Sequence, residues 1–155
     1  MPNAANILKV LRDELALQSR HCKLLEAQEA ALMSCDRAQF FHLQSEHTRL
    51  LPLLEAQQEA RQAILRDDEG QPCTLSVLIE SCPDASRRAL TGAGESLRVI
   101  LGRIQLLSAR NQQLVENELK YLAFTLELFV EAGRSADRGY GGRMPGSRLL
   151  LDRRA

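Results

Sequence analysis

LTGAGESLRVILGRIQLLSARNQQLVENELKYLAFTLEL, residues 90 to 128, decides the fold. Taken at alternating steps of three and four, it yields Leu90, Ala93, Leu97, Ile100, Ile104, Leu107, Asn111, Leu114, Glu118, Tyr121, Thr125 and Leu128. Nine of these twelve positions are apolar or aromatic, which keeps one stripe of a helix facing a partner for about five heptads. A helix of this kind draws its stability from whatever covers the stripe, either the rest of the chain or another protein.

The spacing predicts a helix from about Asp84 to Ala132, capped by Asp84 and running roughly 70 Å at 1.5 Å per residue. Gly92, Gly94 and Gly102 each cost about 1 kcal/mol relative to Ala, and the first two could mark a break. Asn111 and Glu118 stand on ladder positions where an apolar side chain would bind better. A polar residue there sets helix register at a cost in stability, or faces a wet partner surface.

Upstream, a first helix is expected from an Asn3 cap to about Met33, with Leu8, Leu11, Leu15, Cys22, Leu25 and Leu32 on one stripe. Ser34-Cys35-Asp36 reads as a tight stop and restart with Asp36 capping the next helix. That helix carries Phe40, Leu43, His47, Leu50, Leu54 and Leu65 and should end between Asp67 and Gly70. So short a turn joins the two as an antiparallel hairpin. Pro52 lies inside the second helix and predicts a kink costing about 3 kcal/mol. Thr74 can cap a short helix through Leu75, Val77, Leu78 and Ile79, ended by Pro83.

The expected class is therefore all-α: an antiparallel hairpin plus one long C-terminal helix, a three-helix bundle with a short connecting helix. The 155 residues suit one domain, long enough to bury about 70% of the surface the unfolded chain exposes. Residues 1–132 form that domain, and 133–155 are read as a flexible Gly/Arg-rich tail. Hydrophobic residues make up 45% of the chain but aromatics only 4%, with no Trp, the usage of long helices.

Net charge is zero, but it is unevenly placed. Residues 1–132 carry 14 Lys and Arg against 18 Asp and Glu, or −4, and the tail carries six Arg against two Asp, or +4. A small net charge and one tail aromatic, Tyr140, argue against nucleic acid as a partner. The N-terminal MPNAANILKVLRDEL has charges within any apolar core and no cleavage site, and the most apolar stretch, Tyr121 to Val130, is too short to span a bilayer and contains Glu127. The expectation is a cytoplasmic protein with no membrane insertion.

The residues offer little for catalysis. Cys22, Cys35, Cys73 and Cys82 form no CxxC pair and are expected as thiols, Cys22 as a small core residue. His21, His42 and His47 include no i, i+4 pair, so no metal is expected. His47 falls on an apolar stripe, where a half-buried imidazole satisfied by one hydrogen bond is the simple reading. GAGES at 92–96 lacks the lysine and preceding strand of a phosphate loop, and no nucleophile elbow is present. The chain is expected to be neither an enzyme nor a cofactor binder.

The first two helices, at about 31 residues each, cover some 46 Å of the long one. The remainder falls at its N-terminal end, under the short helix around Leu78, or at about Glu116 to Ala132. The latter holds Tyr121, Leu122, Phe124, Leu126, Leu128, Phe129 and Val130, apolar on more than one face. Exposed, this exceeds what a soluble monomer usually tolerates and suits the grip of an amphipathic helix from a partner or a second copy.

The stretches LLEAQEAALMSCDRAQFFHLQSEHTRLLPLLEAQQEARQAIL and NQQLVENELKYLAFTLELF, with Tyr140-Gly141-Gly142, resemble the FlgN-like flagellar export chaperones from about Asn3 onward. The shared features are Leu25, Glu29, Leu32 and Asp36, then Leu50, Leu54 and Arg61, then Asn111, Leu114 and Tyr140-Gly141. Pro52 and the glycines at 92 and 94 depart from the pattern. The resemblance implies a small cytosolic chaperone of the flagellar type III secretion system. Such a protein binds the helical termini of hook-filament junction proteins, prevents early assembly and delivers them to the export gate. Tyr121, Leu122, Phe124, Leu128 and Phe129 are the expected partner-binding residues. Tyr140 with the basic tail is expected to meet the export apparatus. The alternative is a structural coiled-coil adapter or rod that self-associates through the ladder.

Overall fold

The computed structural model describes residues 4–66 and 69–140, the last five of these by their backbone alone. Four helices follow in order: α1 (Ala4–Met33), α2 (Arg37–Ile64), α3 (Leu75–Glu80) and α4 (Asp84–Tyr140). The protein is all-α: among the described residues no strand forms, and the one β-bridge pairs Arg66 with Pro72 in the loop before α3. The chain divides into two compact units, Met1–Val115 and Glu116–Ala155.

In the first unit, α1 and α2 form the expected antiparallel hairpin. The turn closes as a Schellman motif: the Asp36 N–H donates to the Ala31 carbonyl at 2.9 Å and the Cys35 N–H to the Leu32 carbonyl at 3.2 Å. Cys35 takes the left-handed conformation that this motif requires, with φ of +56°. The Asp36 carboxylate then accepts from the Gln39 N–H at 3.0 Å and caps α2. Rungs between the helices are polar as well as apolar. The Gln28 amide donates to Gln44 at 3.2 Å and the Gln57 amide to the Val10 carbonyl at 2.9 Å.

The first stretch of α4 lies beside α1 and runs parallel to it. Ile7 and Leu11 share a core with Leu78, Cys82, Leu90 and Leu97, and Cys22 and Leu25 share one with Ile104 and Leu107. The ladder is thus filled from Leu90 to Asn111 by the chain itself. The short α3, capped by Thr74, closes the N-terminal end with Leu78 buried and Leu75 and Ile79 packed against the same core. Burial of Cys22 fits its reading as a small core residue.

Several local expectations are corrected. The α4 helix runs unbroken through Gly92 and Gly94, and at Gly94 a Cβ would lie 3.0 Å from Leu75 Cδ2. That glycine lets α3 approach closely rather than breaking the helix. At its C-terminal end α4 continues past Ala132 through Gly133 and Gly139 to Tyr140, since each glycine costs a helix only about 1 kcal/mol. The α2 helix carries Pro52 within it, as expected, but stops at Ile64, short of the expected Asp67 to Gly70. Asn3 and the segment 141–155 lie outside the described residues.

Two buried polar features hold the hairpin. Glu14, only 3% exposed, pairs with Arg61 across the α1–α2 interface at 3.2 Å. Burial raises the Glu14 pKa, and the Arg61 charge only partly opposes it. His21 Nε2 lies 3.0 Å from His47 Nε2. Burial holds both imidazoles below their usual range, and His21 is lowered further by the neighbouring ring. His47 is therefore half-buried with one hydrogen-bond partner, as its place on the stripe implied.

Candidate partner-binding surface

From Glu116 the sequence ENELKYLAFTLELFVEA supplies good helix formers and no proline. The Thr125 hydroxyl turns back on its own helix, donating to the Tyr121 carbonyl at 2.9 Å. The helix continues through this stretch to Tyr140. Its apolar side chains are another matter.

Eight large apolar residues within 119–130 are exposed: Leu119, Tyr121, Leu122, Phe124, Leu126, Leu128, Phe129 and Val130. Exposure ranges from 39% at Leu122 to 73% at Phe129. All five residues expected on this stretch, Tyr121, Leu122, Phe124, Leu128 and Phe129, are thus open to solvent. Tyr140 is the last residue of α4, and its side chain lies outside the described residues.

Helical periodicity sorts the eight into two sides. At 3.6 residues per turn, Leu119, Leu122, Leu126, Phe129 and Val130 fall on one continuous stripe, at the i, i+3, i+7, i+10, i+11 spacing of a buried helix face. Tyr121, Phe124 and Leu128 fall on a separate side with Thr125 nearby. The long ladder continues through Tyr121 and Leu128, so it leads to the second side. The stronger stripe was legible only by restarting the count at Leu119, the one member missing from the sequence reading.

A third side carries charge. Glu127 and Glu131 flank a shallow groove with Leu126, Val130 and Arg134. Over residues 116–135 four Glu oppose Lys120 and Arg134, a net of −2. Glu116, Glu127 and Glu131, with Lys120 and Arg134 among them, therefore lie along one edge of the stripe.

The described residues bring no three His, Cys, Asp or Glu side chains together to hold a metal ion. None of the described helices is long and apolar enough to cross a membrane. A second groove, about 260 Å³, lies in the α1–α2 hairpin, where Leu24, Ala27, Leu43 and Leu50 meet Arg20, Lys23 and Glu46.

One helical unit packs its own core, and the helix of the other leaves two sides of apolar residues uncovered. The sequence model of the family described as FlgN protein matches residues 1–144, and the chain belongs to that family of flagellar export chaperones. Comparison with curated proteins and with solved structures yields no match in either set.

Proposed function

We propose that the chain works in the cytoplasm as the chaperone of hook-filament junction proteins, binding their helical termini, preventing premature assembly and delivering them to the type III export gate. The observation that carries this reading is the exposed stripe Leu119, Leu122, Leu126, Phe129 and Val130. An amphipathic client helix laid along it would remove from water the apolar area that the chain leaves open, each buried large side chain contributing about 1.5–3 kcal/mol before ordering costs. Tyr121, Phe124 and Leu128 extend the grip around the helix. Tyr140 and the arginines after it serve the export apparatus, where basic side chains meet an acidic surface.

Co-purification with a junction protein from the same flagellated cell, followed by light scattering, tests the reading. The chaperone predicts a one-to-one complex. An obligate multimer that ignores the junction protein would favour the self-associating rod instead. Tyr140→Ala should leave client binding intact while weakening capture of the complex by the export apparatus. Loss of client binding in that variant would contradict the division of roles.

A further inference from the structure

One face of the α1–α2 hairpin carries charge that the fold does not use. At 3.6 residues per turn, Lys9, Arg12, Arg20 and Lys23 fall on one side of α1. All four are exposed, and none forms an ion pair among the described residues. Elsewhere in the same unit Arg61, Arg87, Arg98, Arg103 and Arg110 each pair with a carboxylate. Against the four cations stand Asp13 and Glu46, a net of +2, and Glu46 already lies 3.6 Å from His42.

This cationic face borders the apolar groove of the hairpin. Leu24 and Ala27 of α1 line it with Leu43 and Leu50 of α2. Leu53, one heptad on from Glu46 along the same side of α2, is 51% exposed. The α4 helix packs on other residues of α1, namely Ile7, Leu11, Cys22 and Leu25. The groove therefore lies on ground that α4 leaves open.

We infer that this groove receives a helix of a partner protein, amphipathic and edged with Asp or Glu, as a further helix against the hairpin. Its apolar side chains fill the space over Leu24, Ala27, Leu43 and Leu50, and its carboxylates meet Arg20 and Lys23, with Arg12 and Lys9 further along α1. The same groove on a second copy is a poor occupant, because like charges would meet. Nucleic acid is a poor one too, because no aromatic side chain lines the groove to stack a base. A client segment suited to the α4 stripe, with its edge of Glu116, Glu127 and Glu131, carries the wrong charge for this face. The two surfaces thus take different segments, and the hairpin groove stands whether or not the client binds α4.

The probe is a fluorescein-labelled synthetic helix with Leu at i, i+3, i+7 and i+10 and Glu on both flanks. A copy with Lys in place of each Glu is its control. Fluorescence polarisation with the full chain should show saturable binding of the Glu peptide, about tenfold tighter than of the Lys peptide and severalfold weaker at high salt. Arg20→Glu with Lys23→Glu should weaken it about tenfold. Ala27→Leu, which fills the groove without touching charge, should do the same. Leu53→Asp, at an exposed position, serves that end if circular dichroism shows Ala27→Leu to be unfolded. Absence of saturable binding, or equal affinity for the two peptides, would overturn the inference. So would binding that survives the groove variants and is lost only with the cations. That pattern would leave a face for any anion, which phosphatidylglycerol vesicles or a DNA duplex would occupy as tightly as the peptide. Loss of the peptide in Leu122→Asp would move it to α4 and overturn the inference as well.

Discussion

The Asn111 side-chain amide donates to the main-chain carbonyl of Leu25 at 2.9 Å, buried between α1 and α4. It is the polar rung of the buried part of the ladder, apolar from Leu90 to Leu107, and it fixes the register of the two parallel helices near the end of the first unit. The Asn111 oxygen finds no partner among the described residues. The rung therefore contributes specificity more than stability.

Asn111→Ala should cost about 1 kcal/mol, because the Leu25 carbonyl keeps its helical partner and no buried group is orphaned. Asn111→Asp should cost about 3 kcal/mol or more, because a carboxylate would face that carbonyl with no cation beside it. Urea midpoints of the two variants check the ordering. Equal losses would mean that the rung is wet.

The His21–His47 contact makes the hairpin sensitive to acid. Both folded pKa values lie below the ordinary 6.5, so the unfolded chain binds protons first. The stability tied to neutral imidazoles is present above about pH 6.5 and is lost as pH falls through the lowered folded values. Buried Glu14 acts with the opposite sign: its raised pKa means that protonation on acidification favours the fold. His47→Gln should flatten the loss of stability between about pH 7 and pH 5 in urea titrations. An unchanged slope would remove the pair from the account.

Cys35 holds a left-handed conformation at the hairpin turn, where a side chain costs about 1–2 kcal/mol. Cys35→Gly should raise the stability of the hairpin by about 1 kcal/mol, read as a higher thermal midpoint. A lower midpoint would show that the thiol contributes more there than its backbone costs.

Two glycines of α4 should respond differently to alanine. Gly102 has open space around an added Cβ, so Gly102→Ala should gain about 1 kcal/mol from helix propensity. Gly94→Ala should gain less, since its Cβ must push back Leu75 Cδ2 from 3.0 Å. Thermal midpoints decide, and equal gains would show that α3 yields freely.

The legible parts of the fold were those written locally. Asp36 and Thr74 cap the helices they were expected to cap, and the ladder is buried where the hairpin and α3 can reach it. What escaped the sequence depends on neighbours distant in the chain. Glu14 reads as surface charge until Arg61, 47 residues later, is brought beside it. Ile7 is buried more fully than Leu8, because a straight helix drifts from a strict heptad count. Gly94 looks like a breaker until Leu75 occupies the space it leaves. On the candidate surface, the apolar surplus was visible but its sides were not, since the ladder register passes through Tyr121 and Leu128 while the continuous stripe begins at Leu119.

The most direct test is isothermal titration of the full chain with a hook-filament junction protein, comparing the unaltered protein with Leu122→Asp/Phe129→Asp. Two charges on the stripe should weaken binding by about a hundredfold or more, the loss of about 2.7 kcal/mol expected of central anchors. Helical circular dichroism and the thermal midpoint should stay unchanged, because both residues are exposed in the free protein. An affinity that stays the same in the folded double variant would contradict the assignment of this helix as the client-binding surface.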